Sequence, residues 1–165
     1  MTSMQAIRLS RRSDTQGSRS GIATVEFAVL VPLFLILVLG MTEMSRACQV
    51  TADLTSAVRE GGRMASMDLT SRSPSNQPIN QKITQDMRNF LSACGIPGNE
   101  VTITITRPGT DTSFDLSDQN NYLQSFQITA SIPYSLVSRL PADYMNGRVI
   151  TCSAVYRLGR SMVTD

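Results

Sequence analysis

Histidine and tryptophan are both missing from this chain of 165 residues. Without histidine, Ser–His and Cys–His catalytic pairs and every histidine-based metal site are excluded. The three cysteines are too few for a closed zinc site without carboxylate ligands. Charged residues are scarce, at 17%, and a net charge of +2 indicates neither a nucleic-acid binder nor an acidic tail. We expect no cofactor, no metal and no nucleic-acid partner.

The few charges are unevenly distributed along the chain. Residues 1–21 carry Arg8, Arg11, Arg12 and Arg19 against a single Asp14, a net charge of +3, so the remainder carries −1. The same segment is rich in polar residues and has almost no apolar content. Such a composition predicts a disordered basic leader.

An apolar segment follows the leader abruptly. Phe27–Thr42 contains no charged residue, and Ile22–Thr42 contains only Glu26. As an α-helix, Ile22–Thr42 would measure about 31 Å, which matches a hydrocarbon core of roughly 30 Å. Because the arginines precede the segment, the positive-inside rule predicts a cytoplasmic N-terminus and an exported C-terminal part.

Two other interpretations of the apolar segment fit the sequence less well. A cleaved secretory signal would be followed by a small-residue site, but Leu39 is followed by GMTEMSRACQV, and Arg46 disfavours the lipoprotein-like Ser45–Cys48. A buried core helix would need a larger enclosing domain than the rest of the chain supplies. A single transmembrane helix over residues 22–42 is therefore the preferred interpretation.

Glu26 is costly near the start of an apolar helix unless it finds a partner. On physical grounds alone, its carboxylate could reach the lipid headgroups beside the helix N-terminus or could pair with another charge. Gly21 lies between the basic leader and this helix, and its lack of a side chain lets a protease backbone approach closely. Cleavage after Gly21 would create an α-amine on Ile22, and a neighbouring subunit's Glu26 could pair with it.

The segment GIATVEFAVLVPLFLILVLGMTEMSRA, with AVREGGRMAS downstream, resembles the TadE-like pseudopilins of the tight-adherence (Tad/Flp) pilus. The similarity lies in the Gly–x4–Glu–Phe start, a proline inside the apolar helix, an exit of Gly40 and Glu43, and the helix that follows. It covers residues 19–66 and is weak beyond them, where SAVYRLGR (Ser153–Arg160) is similar to the family's terminal strand.

The resemblance implies a non-catalytic minor pilin that takes part in assembling a pilus or secretion filament. A prepilin peptidase would cut between Gly21 and Ile22, and Glu26 with Phe27 would act in processing or assembly. The implied partners are this peptidase, other pilins and pseudopilins, and inner-membrane assembly proteins. The implied location is the bacterial inner membrane, with residues 43–165 exported. The alternative is a signal-anchored envelope protein whose exported domain binds a ligand or partner.

Beyond Thr42 the pattern predicts that the helix continues to Ser66 with an apolar stripe on one face. The stripe consists of Ala47, Val50, Leu54, Ala57 or Val58, Gly61, and Met64 or Ala65. Pro32 is expected to kink this long helix. The Gly61–Gly62 pair weakens its last turns or lets another backbone approach.

A second helix and three strands are predicted after a loop at Asp68–Gln77. Pro78 suits the first turn of the helix, Gly95 suits its stop after Cys94, and one face carries Ile79, Ile83, Met87, Phe90 and Leu91. Alternating apolar residues predict strands around 101–106, 126–133 and 150–157, with polar loops at Thr110–Asn121 and Tyr134–Gly147. This order predicts a pilin-like α+β fold with a small antiparallel sheet.

Acidic residues and cysteines offer little further chemistry. Asp111, Asp115 and Asp118 lack the spacing and the glycine of an EF-hand, so a solvated loop is expected. Scattered carboxylates leave a two-carboxylate hydrolase open, although no motif points to one. In an exported domain Cys94 and Cys152 are candidates for a disulfide, whereas Cys48 is either buried as a small apolar residue or paired between subunits.

Overall fold

A computed structural model describes residues 16–67, 77–139 and 147–159. Residues 1–15 of the predicted leader, residues 68–76 and 140–146 of the two predicted loops, and residues 160–165 lie outside this part. The chain divides into two units, Met1–Met41 and Thr42–Asp165, which are described separately. The order of elements is helix, helix and then three strands, so the predicted α+β class is confirmed.

Helix α1 extends over Gln16–Ser66 and so begins six residues before Ile22, the start of the predicted transmembrane segment. Residues 16–20, predicted to be disordered, have helical backbone. A helix nucleated elsewhere extends at little cost, and no proline blocks extension on this side of Ile22. The helix continues through Pro32, and the kink expected there stays a prediction.

In the first unit, α1 is apolar and uncovered. Apart from half-buried Val31, its large apolar side chains from Ile22 to Met41 are between 38% and 70% exposed. A helix that is apolar on all sides requires an apolar environment. Among the described residues, one helix is long and apolar enough to cross a membrane, and its apolar part is this segment.

In the second unit, α1 buries the predicted stripe. Val50, Leu54, Ala57, Val58 and Ala65 are at most 2% exposed. Side chains, and not another backbone, pack against Gly61 and Gly62. This corrects the expectation of a close backbone approach there. A Cβ on Gly61 would lie 2.4 Å from Met87 Sδ, and a Cβ on Gly62 would lie 2.1 Å from Tyr156 Cε2. The two glycines therefore let α2 and the third strand pack closely on α1.

Helix α2 extends over Ile79–Ala93, with Pro78 as N-cap rather than in the first turn. Ile83, Met87 and Leu91 are buried as predicted, but Phe90 is 38% exposed, because it lies to one side of that face. The helix ends in a Schellman motif: Gly95 N donates to Ser92 O, and Ile96 N donates to Leu91 O, both at 3.0 Å. Gly95 has φ +78°, as this motif requires at its first residue beyond the cap.

The three strands are β1 (Thr102–Thr106), β2 (Ser125–Pro133) and β3 (Val149–Arg157), close to their predicted positions. They form one antiparallel sheet in the order β1-β2-β3. Alternation places Phe126, Ile128, Ala130 and Ile132 of β2 in the core. The opposite face is rich in threonine and serine, so one face is buried and the other faces solvent.

The loop between β1 and β2 is more buried than predicted. Phe114 and Leu116 are at most 2% exposed, and Ser113 forms an isolated bridge with Thr106. Asn80 of α2 holds this segment, because its amide donates to Phe114 O at 2.7 Å and accepts from Leu116 N at 3.0 Å. Asp115 and Asp118 cap turns by accepting from Ser117 N and Asn120 N.

The Cys94–Cys152 disulfide is not formed in this structure, where all three cysteines are free thiols. Cys94 is the C-cap of α2. Cys152 faces α1 instead, accepting from Thr55 Oγ1 at 3.4 Å and donating to Thr51 O at 3.7 Å. Cys48 is exposed rather than buried.

Candidate functional site: the Gly21–Phe27 junction and the Glu43 contact

The expected cleavage bond, between Gly21 and Ile22, lies in helical backbone. Both residues are exposed, and a Cβ on Gly21 would meet nothing within 4 Å. A peptidase that binds an extended chain would first have to unwind the helix at this point. Gly21 favours unwinding, because glycine costs a helix about 1 kcal/mol relative to alanine, and helix ends fray readily.

Glu26 and Phe27 follow within about one and a half turns of helix. Glu26 is exposed and Phe27 is 69% exposed. Both are therefore available to a second molecule or to lipid. An exposed carboxylate in an otherwise apolar helix is most stable when a positive charge reaches it in that environment.

A second polar cluster ties α1 to the chain after β2, within the second unit. Tyr134 Oη donates to Glu43 Oε1 at 2.7 Å, and Ser138 Oγ donates to the same oxygen. Tyr134 begins a 3-10 turn, Tyr134–Leu136, immediately after the strand. We call Glu43, Tyr134 and Ser138 the Glu43 contact.

The electrostatics of this contact stabilise an ionised Glu43. The hydrogen bond from Ser138, and then that from Tyr134, hold the pKa of Glu43 below its ordinary value. Burial, followed by the hydrogen bond to Glu43, raises the pKa of Tyr134 to about 12. A negative carboxylate and a neutral phenol are therefore the forms that this contact favours.

Arg46 adds a further link one helical turn beyond Glu43. Its Nε donates to Val137 O at 3.4 Å, and its Nη2 donates to Gly95 O at 3.5 Å. The guanidinium thus contacts both the segment after β2 and the end of α2. Both donor distances are long, so each bond is individually weak.

A groove of about 610 Å³ lies between α2 and β1. Its lining is mostly polar and includes Gln81, Gln85, Arg88, Thr104 and Asp111. Arg88 Nε is buried without a hydrogen-bond partner. The groove is the part of the described structure that best fits a binding role for the second unit.

The sequence indicated the junction but missed the Glu43 contact. In the sequence Glu43 is only part of the helix exit, and its partners lie 91 and 95 residues further along the chain. A polar residue after Pro133 gives no local sign of a distant carboxylate. The relevant signal is spatial, because β2 ends beside the start of the folded unit.

The fold and these sites define a class: an α+β domain on a long helix whose exposed apolar part could cross a membrane. The family model described as TadE-like protein matches residues 21–63. The resemblance predicted from sequence is confirmed for this segment, which begins at Gly21 and includes Glu26 and Glu43. No curated protein and no solved structure matches the chain.

Proposed function

We propose that this chain is a non-catalytic, membrane-anchored pseudopilin that helps to assemble a Tad-type pilus or secretion filament. One observation carries the proposal: the TadE-like match begins at Gly21 and covers a helix whose apolar side chains are exposed. Such a helix needs lipid or the apolar helices of other subunits around it.

The proposed sequence of events uses the residues of the junction. The basic leader keeps the N-terminus in the cytoplasm. A prepilin peptidase hydrolyses the Gly21–Ile22 bond and releases the leader. The new amine of Ile22 then pairs with Glu26 of a neighbouring pilin or pseudopilin, which offsets the cost of holding that carboxylate in an apolar environment.

The decisive measurement is the intact mass of the chain purified from membranes of cells that contain the peptidase. A polypeptide beginning at Ile22 is expected. Gly21→Leu is expected to remain full-length, because its side chain prevents the close approach of the peptidase. Finding the leader intact on the unsubstituted chain would contradict cleavage.

Assembly needs its own test, because cleavage by itself does not show a role in filaments. Deleting the chain is expected to abolish surface filaments, with adhesion and biofilm formation falling in parallel. Glu26→Gln, which keeps the shape but removes the charge, is expected to be cleaved normally and to lower filament yield. Normal filaments in the deletion strain would contradict the proposal.

The second candidate is an envelope protein that uses the anchor only to display a binding domain. The groove between α2 and β1, with its unpaired Arg88 Nε, favours it. Under this alternative, deletion of the chain leaves filaments intact. Arg88→Ala then has the same effect on the cell as deletion, whereas substitutions at the Gly21–Phe27 junction have no effect. The two candidates therefore make opposite predictions for Glu26→Gln.

A further inference from the structure

The outer edge of β3 is a long row of backbone groups that face away from the sheet. Leu158 N donates to Gln124 O at 3.0 Å, and Tyr134 N donates to Arg148 O at 2.8 Å. The even-numbered residues of β3 therefore direct their backbone N–H and C=O groups toward β2. Because antiparallel strands alternate, the odd-numbered residues direct their N–H and C=O outward. These are Val149, Thr151, Ser153, Val155 and Arg157.

The opposite edge of the sheet is different, because the chain itself covers part of it. Phe114 N donates to Ile105 O at 3.0 Å, and Arg107 N donates to Thr112 O at 2.9 Å. Within the described residues, β3 therefore presents the long open edge of this sheet.

The open edge also lacks the features that normally protect an edge strand. Proteins usually place a charge, a proline or a bulge there to prevent pairing with another chain. From Val149 to Tyr156 the strand contains no charged residue and no proline. Val149 and Val155 are also 57% and 56% exposed. An unprotected edge of this length indicates that it pairs with another strand.

We propose that the outer edge of β3 binds an extended segment of a different protein, which adds to the sheet as a fourth strand. Charge complementarity describes that segment. Arg148 and Arg157 stand at the two ends of the uncharged stretch, and both are exposed. The partner segment is therefore uncharged and rich in β-branched residues, with carboxylates at both ends. Main-chain hydrogen bonds provide affinity in this mode of recognition.

A second copy of this chain fits the edge poorly. Antiparallel pairing of two β3 strands through this edge would bring Arg148 of one copy close to Arg157 of the other. Both residues are exposed, and like charges on neighbouring strands are destabilising.

Parallel pairing of two copies fails for a different reason. In a parallel pair related by a twofold axis along β3, identical residues of the two copies lie opposite each other. A parallel ladder instead requires the outward N–H and C=O groups of one strand to be offset by one residue from those of the other. This inference depends on neither the filament role nor the membrane anchor of the proposed function. Its success or failure is therefore independent of whether deletion abolishes filaments.

The test is amide hydrogen exchange of the full chain in detergent micelles, with a synthetic peptide as probe. The peptide has alternating valine and threonine with two glutamates at each end. At ten times its Kd it is expected to slow exchange of the odd-numbered β3 amides about tenfold. The even-numbered amides are slow already and report that the fold is intact.

Two control peptides and two substitutions accompany the test. The same peptide with alternate backbone nitrogens methylated keeps its side chains but is expected to give no protection, and a lysine-flanked peptide is expected to bind at least several-fold more weakly. Val155→Lys is expected to abolish protection, whereas Thr102→Lys, on the same face of the other edge strand, is expected to leave it unchanged.

Two results would overturn the proposal. One is an absence of protection by the glutamate-flanked peptide, or equal protection by its methylated form. The other is a chain that is already dimeric in micelles with its odd-numbered β3 amides slow before peptide is added, because a second copy would then be the occupant.

Discussion

Glu43 connects the start of the folded unit to the segment that follows β2. Tyr134, which is only 4% exposed, donates to its carboxylate, as does Ser138. A hydrogen bond to a charged group contributes about 1.5–3 kcal/mol when buried. Glu43 is half-buried, so we expect solvent screening to leave about 1 kcal/mol for the bond from Tyr134.

Glu43→Gln is predicted to weaken the dependence of stability on acid pH. Because its pKa is lowered on folding from 4.5, the carboxylate stabilises the fold above pH 4.5 and loses this contribution as the pH falls through the lower, folded value. Urea unfolding of the full chain in detergent between pH 6 and pH 3 measures it. The wild type should lose more stability than Glu43→Gln across this range, and parallel curves would contradict the assignment.

Gly62 is predicted to be required because Tyr156 occupies the space of its missing side chain. A Cβ there would lie 2.1 Å from the ring. Overpacking costs about 1–3 kcal/mol, while alanine returns about 1 kcal/mol of helix propensity. We expect Gly62→Ala to lower the free energy of unfolding by about 1 kcal/mol after this offset.

The matched control for Gly62 is a double-mutant cycle with Tyr156→Leu, measured by urea unfolding. The smaller side chain removes the collision, so Gly62→Ala should be neutral or stabilising in that background. An equal loss in both backgrounds would show that the tyrosine ring is not the cause.

At the scale of elements, helix α2 ends for a reason visible in its residues. Helix α2 is stopped by Gly95, which has a φ of +78°. Residues with a Cβ adopt this left-handed conformation only at a cost in free energy. The cap then places Ile96 against Leu91, both of them buried. Arg46 of α1 also contacts Gly95 O, so the cap joins the two helices.

Gly95→Ala is predicted to destabilise the domain by about 1–2 kcal/mol, the cost of a Cβ in left-handed backbone. A Cβ at this site would meet nothing within 4 Å, so backbone strain is the cause. Thermal or urea unfolding measures the loss. Gly95→Asn should lose less, because asparagine tolerates this conformation better, and equal losses would point to another cause.

At the scale of the whole molecule, processing would reverse the sign of the net charge. The chain carries +2, and the leader accounts for +3 of it. Removing residues 1–21 is predicted to move the isoelectric point from about 8.6 to an acidic value. Isoelectric focusing of membrane extracts measures the shift. The Gly21→Leu variant should stay basic, and a basic wild-type band would argue against cleavage.

Most elements of the fold were predictable because their patterns are local. The apolar run, the stripe from Ala47 to Ala65 and the alternating strands each express one period that burial imposes. Predictions failed where no period exists. Residues 16–20 are helical because an existing helix extends readily, and Phe114 is buried because Asn80 of α2 holds its segment.

The sequence by itself determined the anchor, the order of helices and strands, and the Gly21–Phe27 junction, because composition and periodicity over neighbouring residues carry this information. Only the tertiary structure decided the Glu43 contact, the fit of Tyr156 over Gly62 and the open edge of β3. These depend on which distant segments become neighbours, and that follows from packing of the whole unit. The scarcity of charge shows the same contrast. The sequence shows where the few charges lie along the chain, but only the tertiary structure shows that an uncharged strand, β3, forms the open edge of the sheet.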